Sequence, residues 1–131
     1  MVTRQFRWVA LLAAVFWFSS LAFAADTDPA SKWRIQFNHK SDNDGVVSFR
    51  IAPVDGSAPI DVETKIPADT HENHAADILK DSLKASLGKG YHVETDDGED
   101  VLIKRRGKTP KFVVTMTSST LTGLEVRVKH D

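Results

Sequence analysis

Thr70-His71-Glu72-Asn73-His74-Ala75-Ala76-Asp77-Ile78-Leu79-Lys80-Asp81-Ser82-Leu83-Lys84-Ala85-Ser86-Leu87 is the stretch of this chain whose apolar residues recur in steps of three and four. Ala75, Ala76, Ile78, Leu79, Leu83 and Leu87 fall on one side of a 3.6-residue turn, so the stretch reads as an amphipathic helix. Asp69 or Thr70 stands where an N-cap is needed, Glu72 suits the positive end of the helix dipole, and Gly88 followed by Lys89 and Gly90 supplies the stop. The small pair Ala75-Ala76 leaves room for close approach to whatever the helix covers.

On both sides of this helix the period is two, the alternation of half-buried strands. Before it, Trp33, Ile35 and Phe37 alternate with Arg34, Gln36 and Asn38; Val47, Phe49 and Ile51 form a second strand; Ile60, Val62, Thr64 and Ile66 form a third, stopped by Pro67. After it, Tyr91 and Val93 begin a fourth strand, Val101 to Arg105 is a fifth, Phe112, Val114 and Met116 mark a sixth, and Leu124, Val126 and Val128 a seventh. The connections are short and rich in Asp, Asn and Gly. Asp42-Asn43-Asp44-Gly45 reads as a hairpin turn, and neighbouring strands are expected to pair antiparallel.

The order βββ-α-ββββ defines an α+β class. Seven strands about 4.8 Å apart make a flat sheet more than about 30 Å wide, whereas one helix covers a strip of about 10–12 Å. The antiparallel sheet must therefore curl or split, as a partly open barrel or a sandwich packed against one amphipathic helix.

The N-terminus carries a different signal. Arg4 and Arg7 precede an uncharged apolar run from Trp8 to Phe18, and Ala22-Phe23-Ala24 offers small residues at the −3 and −1 positions of a cut. That is the layout of a cleaved secretory signal peptide over residues 1–24; the alternative is an uncleaved N-terminal anchor, against which the apolar run counts because it is about half the length of a membrane span. Residues 25–31 then form a flexible lead and residues 32–131 a single domain. The expected location is periplasmic or secreted. The chain has no cysteine, so the exported form has neither a disulfide nor a lipid-anchor cysteine, and no stable membrane anchor is expected after cleavage. Of 17 basic and 18 acidic residues, removal of Arg4 and Arg7 leaves fifteen against eighteen, a net −3. That balance excludes a general nucleic-acid binder, which carries a marked basic excess.

Four constellations invite chemistry. His71 and His74, three apart, would share a helix face and present a two-imidazole metal site, although the metalloprotease spacing of four is not met. Asp42-Asn43-Asp44-Gly45 fails as a calcium loop, since Lys40 stands where a ligand is needed and Ile51 where the twelfth-position Glu belongs. Asp96-Asp97-Gly98-Glu99-Asp100 is an acidic turn, and Arg105, Arg106, Lys108 and Lys111 form the one dense basic cluster. These two flank the fifth strand and are expected at opposite poles, roughly 20 Å apart, an arrangement suited to head-to-tail contact. Catalytic signatures are lacking: there is no Cys nucleophile, no Gly-x-Ser-x-Gly elbow and no Gly-rich phosphate loop. Ser118 and Ser119 have only the distant His92 and His130 as conceivable bases.

The expected function is an exported, non-enzymatic domain that binds or assembles with another protein, by its poles or by addition of a partner strand at an edge, with Arg34-Gln36-Asn38 as a polar solvent face. No cofactor is expected. The alternatives are a periplasmic metal-binding protein using His71 and His74, and an enzyme with a non-standard site.

Overall fold

The computed structural model describes residues 28–131; the expected signal segment lies outside the described residues, as does the start of the lead. Seven strands and one helix follow in the order β1 (Lys32–Asn38), β2 (Gly45–Pro53), β3 (Ile60–Ile66), α1 (Glu72–Leu87), β4 (Tyr91–Asp96), β5 (Asp100–Arg105), β6 (Phe112–Ser119) and β7 (Glu125–His130), with a 3₁₀ turn at Gly88–Gly90. The strands form two antiparallel sheets, β4-β5-β1-β7 and β3-β2-β6, which do not close into a barrel. The helix packs against β3 of one sheet and against β4, β5 and β1 of the other. It thus fills the open side between them, as the width of seven strands requires.

The alternation sets the core. Trp33, Ile35 and Phe37 of β1, Val47, Phe49 and Ile51 of β2, and Val101 and Ile103 of β5 are fully buried. So are Ala75, Ala76, Leu79 and Leu83 of α1, where each leucine contributes about 1.5–3 kcal/mol through burial. The two sheets are joined at one end by a buried hydrogen bond from the Trp33 indole N–H to the Phe112 carbonyl, 2.7 Å long. Phe112 also exchanges backbone hydrogen bonds with Ala30 and meets Tyr91 edge-on at 5.0 Å. Ala30 and Ser31, at the end of the expected flexible lead, are therefore held by β6 and β5, since Arg105 N–H donates to the Ser31 carbonyl.

Pairing departs from a simple meander. Of the chain neighbours, β2–β3 and β4–β5 pair, but β1 is interior, between β5 and β7, and β2 pairs with β6. The first strand is consequently not an edge for a partner. The reason lies in residues 39–44, which carry the chain from one sheet to the other instead of turning a hairpin. Their polar side chains are committed elsewhere: Asn43 bonds Thr120 and Thr122, Asp44 accepts from Ala68 N–H, and Ser41 bonds Pro67 and Thr70. The helix start shifts similarly. His71 is the N-cap, without a side-chain capping bond, while Asp69 adopts φ +60° and Thr70 turns its hydroxyl to the Pro67 carbonyl.

Replacing Trp33 by Ala is expected to cost about 3–5 kcal/mol through the cavity it leaves. Trp33→Phe is expected to cost less, about 1–2 kcal/mol, because the Phe112 carbonyl keeps its Ala30 partner. Urea unfolding followed by circular dichroism checks both, the ranking being the critical result.

Candidate functional site

Hydrogen bonds gather the loops at two ends. At one end, residues 39–44 are bonded to residues 67–71 and 120–124, Phe37 N–H donates to the Glu99 carbonyl of the β4–β5 turn, and Gly98 of that turn lies against the Asn73 side chain. At the other end, Arg106 N–H donates to the Gly90 carbonyl and Val54 N–H to the Lys111 carbonyl, joining residues 54–59, 88–90 and 106–111. The first set of loops carries Asp42, Asp44, Asp69, Asp97 and Glu99 against the single Lys40. The second carries Lys89, Arg106, Lys108 and Lys111 against the single Asp55. The sequence clusters at Asp96–Asp100 and Arg105–Lys111 are thus each reinforced by loops remote in sequence, and the six residues of β5 hold them about 20 Å apart.

The acidic end is built on the β4–β5 hairpin. Asp97 and Gly98 both have positive φ, 51° and 81°, the conformation of a mirror-image hairpin turn that Asp-Gly suits. Asp96 and Asp100 face each other across the hairpin, and the carboxylate oxygens of Asp96, Asp97 and Asp100 lie within 4.8 Å of one another. Arg34 of β1 supplies the positive charge among them. Its Nη1 donates to Asp100 Oδ2 and lies 3.1 Å from Asp96 Oδ2, while Nη2 donates to Asp131 Oδ2 at 3.1 Å. The Asp100 hydrogen bond is the main reason that the guanidinium pKa is raised further. Asp100 is only 4 % exposed, so of the four acidic positions singled out in the sequence it serves the fold; Asp97 is exposed, and Glu99 and Asp96 partly so. Arg34, read as part of a solvent face, is instead the counter-charge of the hairpin.

At the basic end Arg105, Arg106, Lys108 and Lys111 are all exposed. Arg105 donates to Ser31 Oγ and to the Thr109 carbonyl. Arg106 Nη2 lies 2.8 Å from His92 Nδ1. A guanidinium only donates, so Nδ1 accepts and Nε2–H points to Glu94 Oε2 at 3.1 Å, with Lys104 on the other Glu94 oxygen at 2.6 Å. Lys104, then His92, hold the Glu94 carboxyl below its ordinary range, and Lys32, then Arg34, do the same for Asp131. This ionic layer covers Leu102, which stands in register between Arg34 and Glu94 and is 3 % exposed.

His71 and His74 are both exposed, but His71 lies outside the helix with an extended backbone bridged to Lys40, so the pair does not have the helical spacing expected of it. Neither belongs to the converging group of metal-type side chains found among the described residues, which is Asp96, Asp97 and Asp100. Ser118 and Ser119 lie on β6 of the three-stranded sheet, while His92 and His130 belong to the other sheet. Among the described residues no helix is long and apolar enough to cross a membrane. Compared with protein-family models, curated proteins and solved structures, the chain matches none.

Two outcomes follow from this charge layout. Arg34→Met leaves Asp100 buried without its counter-charge, and Asp100 Oδ1 already lacks a hydrogen-bond partner. The expected loss is about 2–3 kcal/mol, between an exposed and a fully buried broken pair, read by urea titration at neutral pH. Glu94 and Asp131 have depressed pKa values in the fold, so their stabilisation is complete above the ordinary carboxyl values of 4.5 and 3.8 and is lost as pH falls through the lower folded values. The melting temperature is expected to hold above about pH 5 and to fall below it, with a shallower fall in Lys104→Met.

Proposed function

We propose that the protein is an exported, non-enzymatic domain that binds or assembles with another protein through its oppositely charged ends. The observation that carries this reading is the segregation of charge in the connecting loops: one lysine against five carboxylates at one end, and four cations against Asp55 at the other, where Asp28 and Asp131 also stand, Asp131 paired with Lys32 and Arg34. A near-neutral chain gains nothing from net charge in attracting a partner, but separated poles steer and orient an encounter. When the partner is another copy, the acidic end of one meets the basic end of the next, and such a heterologous contact propagates. Export rests on residues 1–24, whose charged start, apolar run and Ala-x-Ala site match a cleaved signal. With no cysteine to carry a lipid, the product is free to diffuse in the periplasm or outside the cell.

Arg105→Glu with Arg106→Glu, and separately Lys108→Glu with Lys111→Glu, are expected to weaken association and to flatten its dependence on salt. The second pair is the cleaner probe, because neither lysine has an ion-pair partner among the described residues. Sedimentation velocity between low and moderate ionic strength reads the effect; a salt dependence equal to that of the parent in both variants contradicts the proposal. N-terminal sequencing of the exported protein is expected to begin at Ala25, and a start at Met1 contradicts export with cleavage.

A further inference from the structure

We infer that the basic end docks reversibly on an anionic phospholipid bilayer, with Val54 entering the headgroup layer and the cations beside it meeting lipid phosphates. Three loops form this end as one unit. Val54 N–H donates to the Lys111 carbonyl, Arg106 N–H donates to the Gly90 carbonyl, and a Cβ on Gly90 would stand 3.2 Å from the Thr109 hydroxyl. Gly56, Gly88 and Gly107, one in each loop, all have open space where a Cβ would stand, so the three tips project outward.

Among the described residues Val54 is the one large apolar side chain left exposed, at 52 %. A single exposed apolar residue is ordinary on a protein surface; its company here is not. The same loops carry Lys89, Lys108 and Lys111, all exposed and none with an ion-pair partner among the described residues. With Lys32, Arg105 and Arg106 the end holds six cations against Asp28, Asp55 and Asp131, an excess of three positive charges. Asp131 is already bound by Lys32 and Arg34. The acidic loops do not oppose the contact. They lie about 20 Å away across β5, roughly two Debye lengths at physiological salt, so a charged surface acts chiefly on the near end.

The arrangement fits a bilayer better than a folded acidic partner. Four of the six cations are lysines, whose flexible stems carry a point charge to phosphates that have no fixed pattern; the planar fork of arginine suits a fixed carboxylate. An apolar tip beside long cationic side chains also follows the depth order of a bilayer surface, hydrocarbon beneath phosphate. Docked in this way, the protein turns its acidic end away from the membrane, and the lipid competes with the end-to-end contact for the same lysines.

Flotation of the exported protein with vesicles tests this, phosphatidylglycerol in phosphatidylcholine being compared with phosphatidylcholine alone. Binding is expected to the anionic vesicles and not to the neutral ones, and is expected to weaken as salt rises. Each basic residue near an anionic surface strengthens binding about fivefold, so Lys108→Gln with Lys111→Gln is expected to weaken it about twentyfold. Val54→Ser weakens it several-fold, whereas Asp97→Asn with Glu99→Gln, at the far end, leaves it unchanged. Circular dichroism confirms that each variant is folded. No binding to anionic vesicles, or binding unchanged in the lysine or the Val54 variant, overturns the inference. So does release by inorganic phosphate beyond that caused by sodium chloride of equal ionic strength, which assigns the site to free phosphate. Absence of vesicle binding with salt-sensitive association through the same lysines overturns it while leaving the end-to-end reading standing. Vesicle binding by a protein that stays monomeric at every salt concentration supports it and removes self-association.

Discussion

The buried hydrogen bond from the Trp33 indole to the Phe112 carbonyl is the joint on which the arrangement of the two sheets depends. Trp33 sits in β1, one of the two interior strands of the larger sheet, and Phe112 at the start of β6, the last strand of the smaller one. An indole N–H in a dry core needs an acceptor, and the only way to give it this one is to bring β6 over β1 at that end. The remaining gap between the sheets opens toward β3 and β4, where α1 inserts Ala75, Ala76, Leu79 and Leu83. Tryptophan at one side and a small-faced helix at the other thus set how far apart the layers stand.

That architecture sorts the loops. The chain switches sheets between β1 and β2, between β3 and β4 through α1, between β5 and β6, and between β6 and β7, so loops distant in sequence collect at shared ends and stitch one another down. Gly123 illustrates how closely: its φ is +82°, and a Cβ there would stand 2.5 Å from both Asp42 Oδ2 and the Lys40 carbonyl. Charge segregates along with the loops. The strand faces between them carry paired ions, Arg34 with Asp96, Asp100 and Asp131, and Lys104 with Glu94, which leaves Asp97 at one end and Lys108 and Lys111 at the other to face solvent.

Periodicity made the elements legible, because burial on one face imposes it directly. The helix and all seven strands lie where the spacing of apolar residues puts them, and the need to divide or curl the sheet followed from widths alone. Pairing was legible for the antiparallel neighbours β2–β3 and β4–β5 and not for the rest. Asp, Asn and Gly at 42–45 suit a hairpin, but the same side chains also bind other loops, and only the proximity of Thr120, Thr122 and Ala68 decides between these uses. Arg34 alternates with apolar residues as a solvent-facing residue would, and nothing local reveals that Asp100 stands opposite its neighbour Gln36. One missed feature did have a signal: Val101-Leu102-Ile103 is an unbroken apolar run, the mark of a strand covered on both faces. The two charged clusters were visible as sequence, whereas the contributions of Asp42, Asp44, Asp69 and Lys89 to the same ends depended on topology.

We propose that two opposed poles of near-balanced charge make these molecules attract one another. The second virial coefficient, measured by static light scattering across ionic strength, tests it most directly. Polar attraction predicts a negative coefficient at low salt that rises toward zero as salt screens the ends. A positive coefficient at low salt that falls on screening, the behaviour of a molecule governed by its net negative charge, would contradict the account.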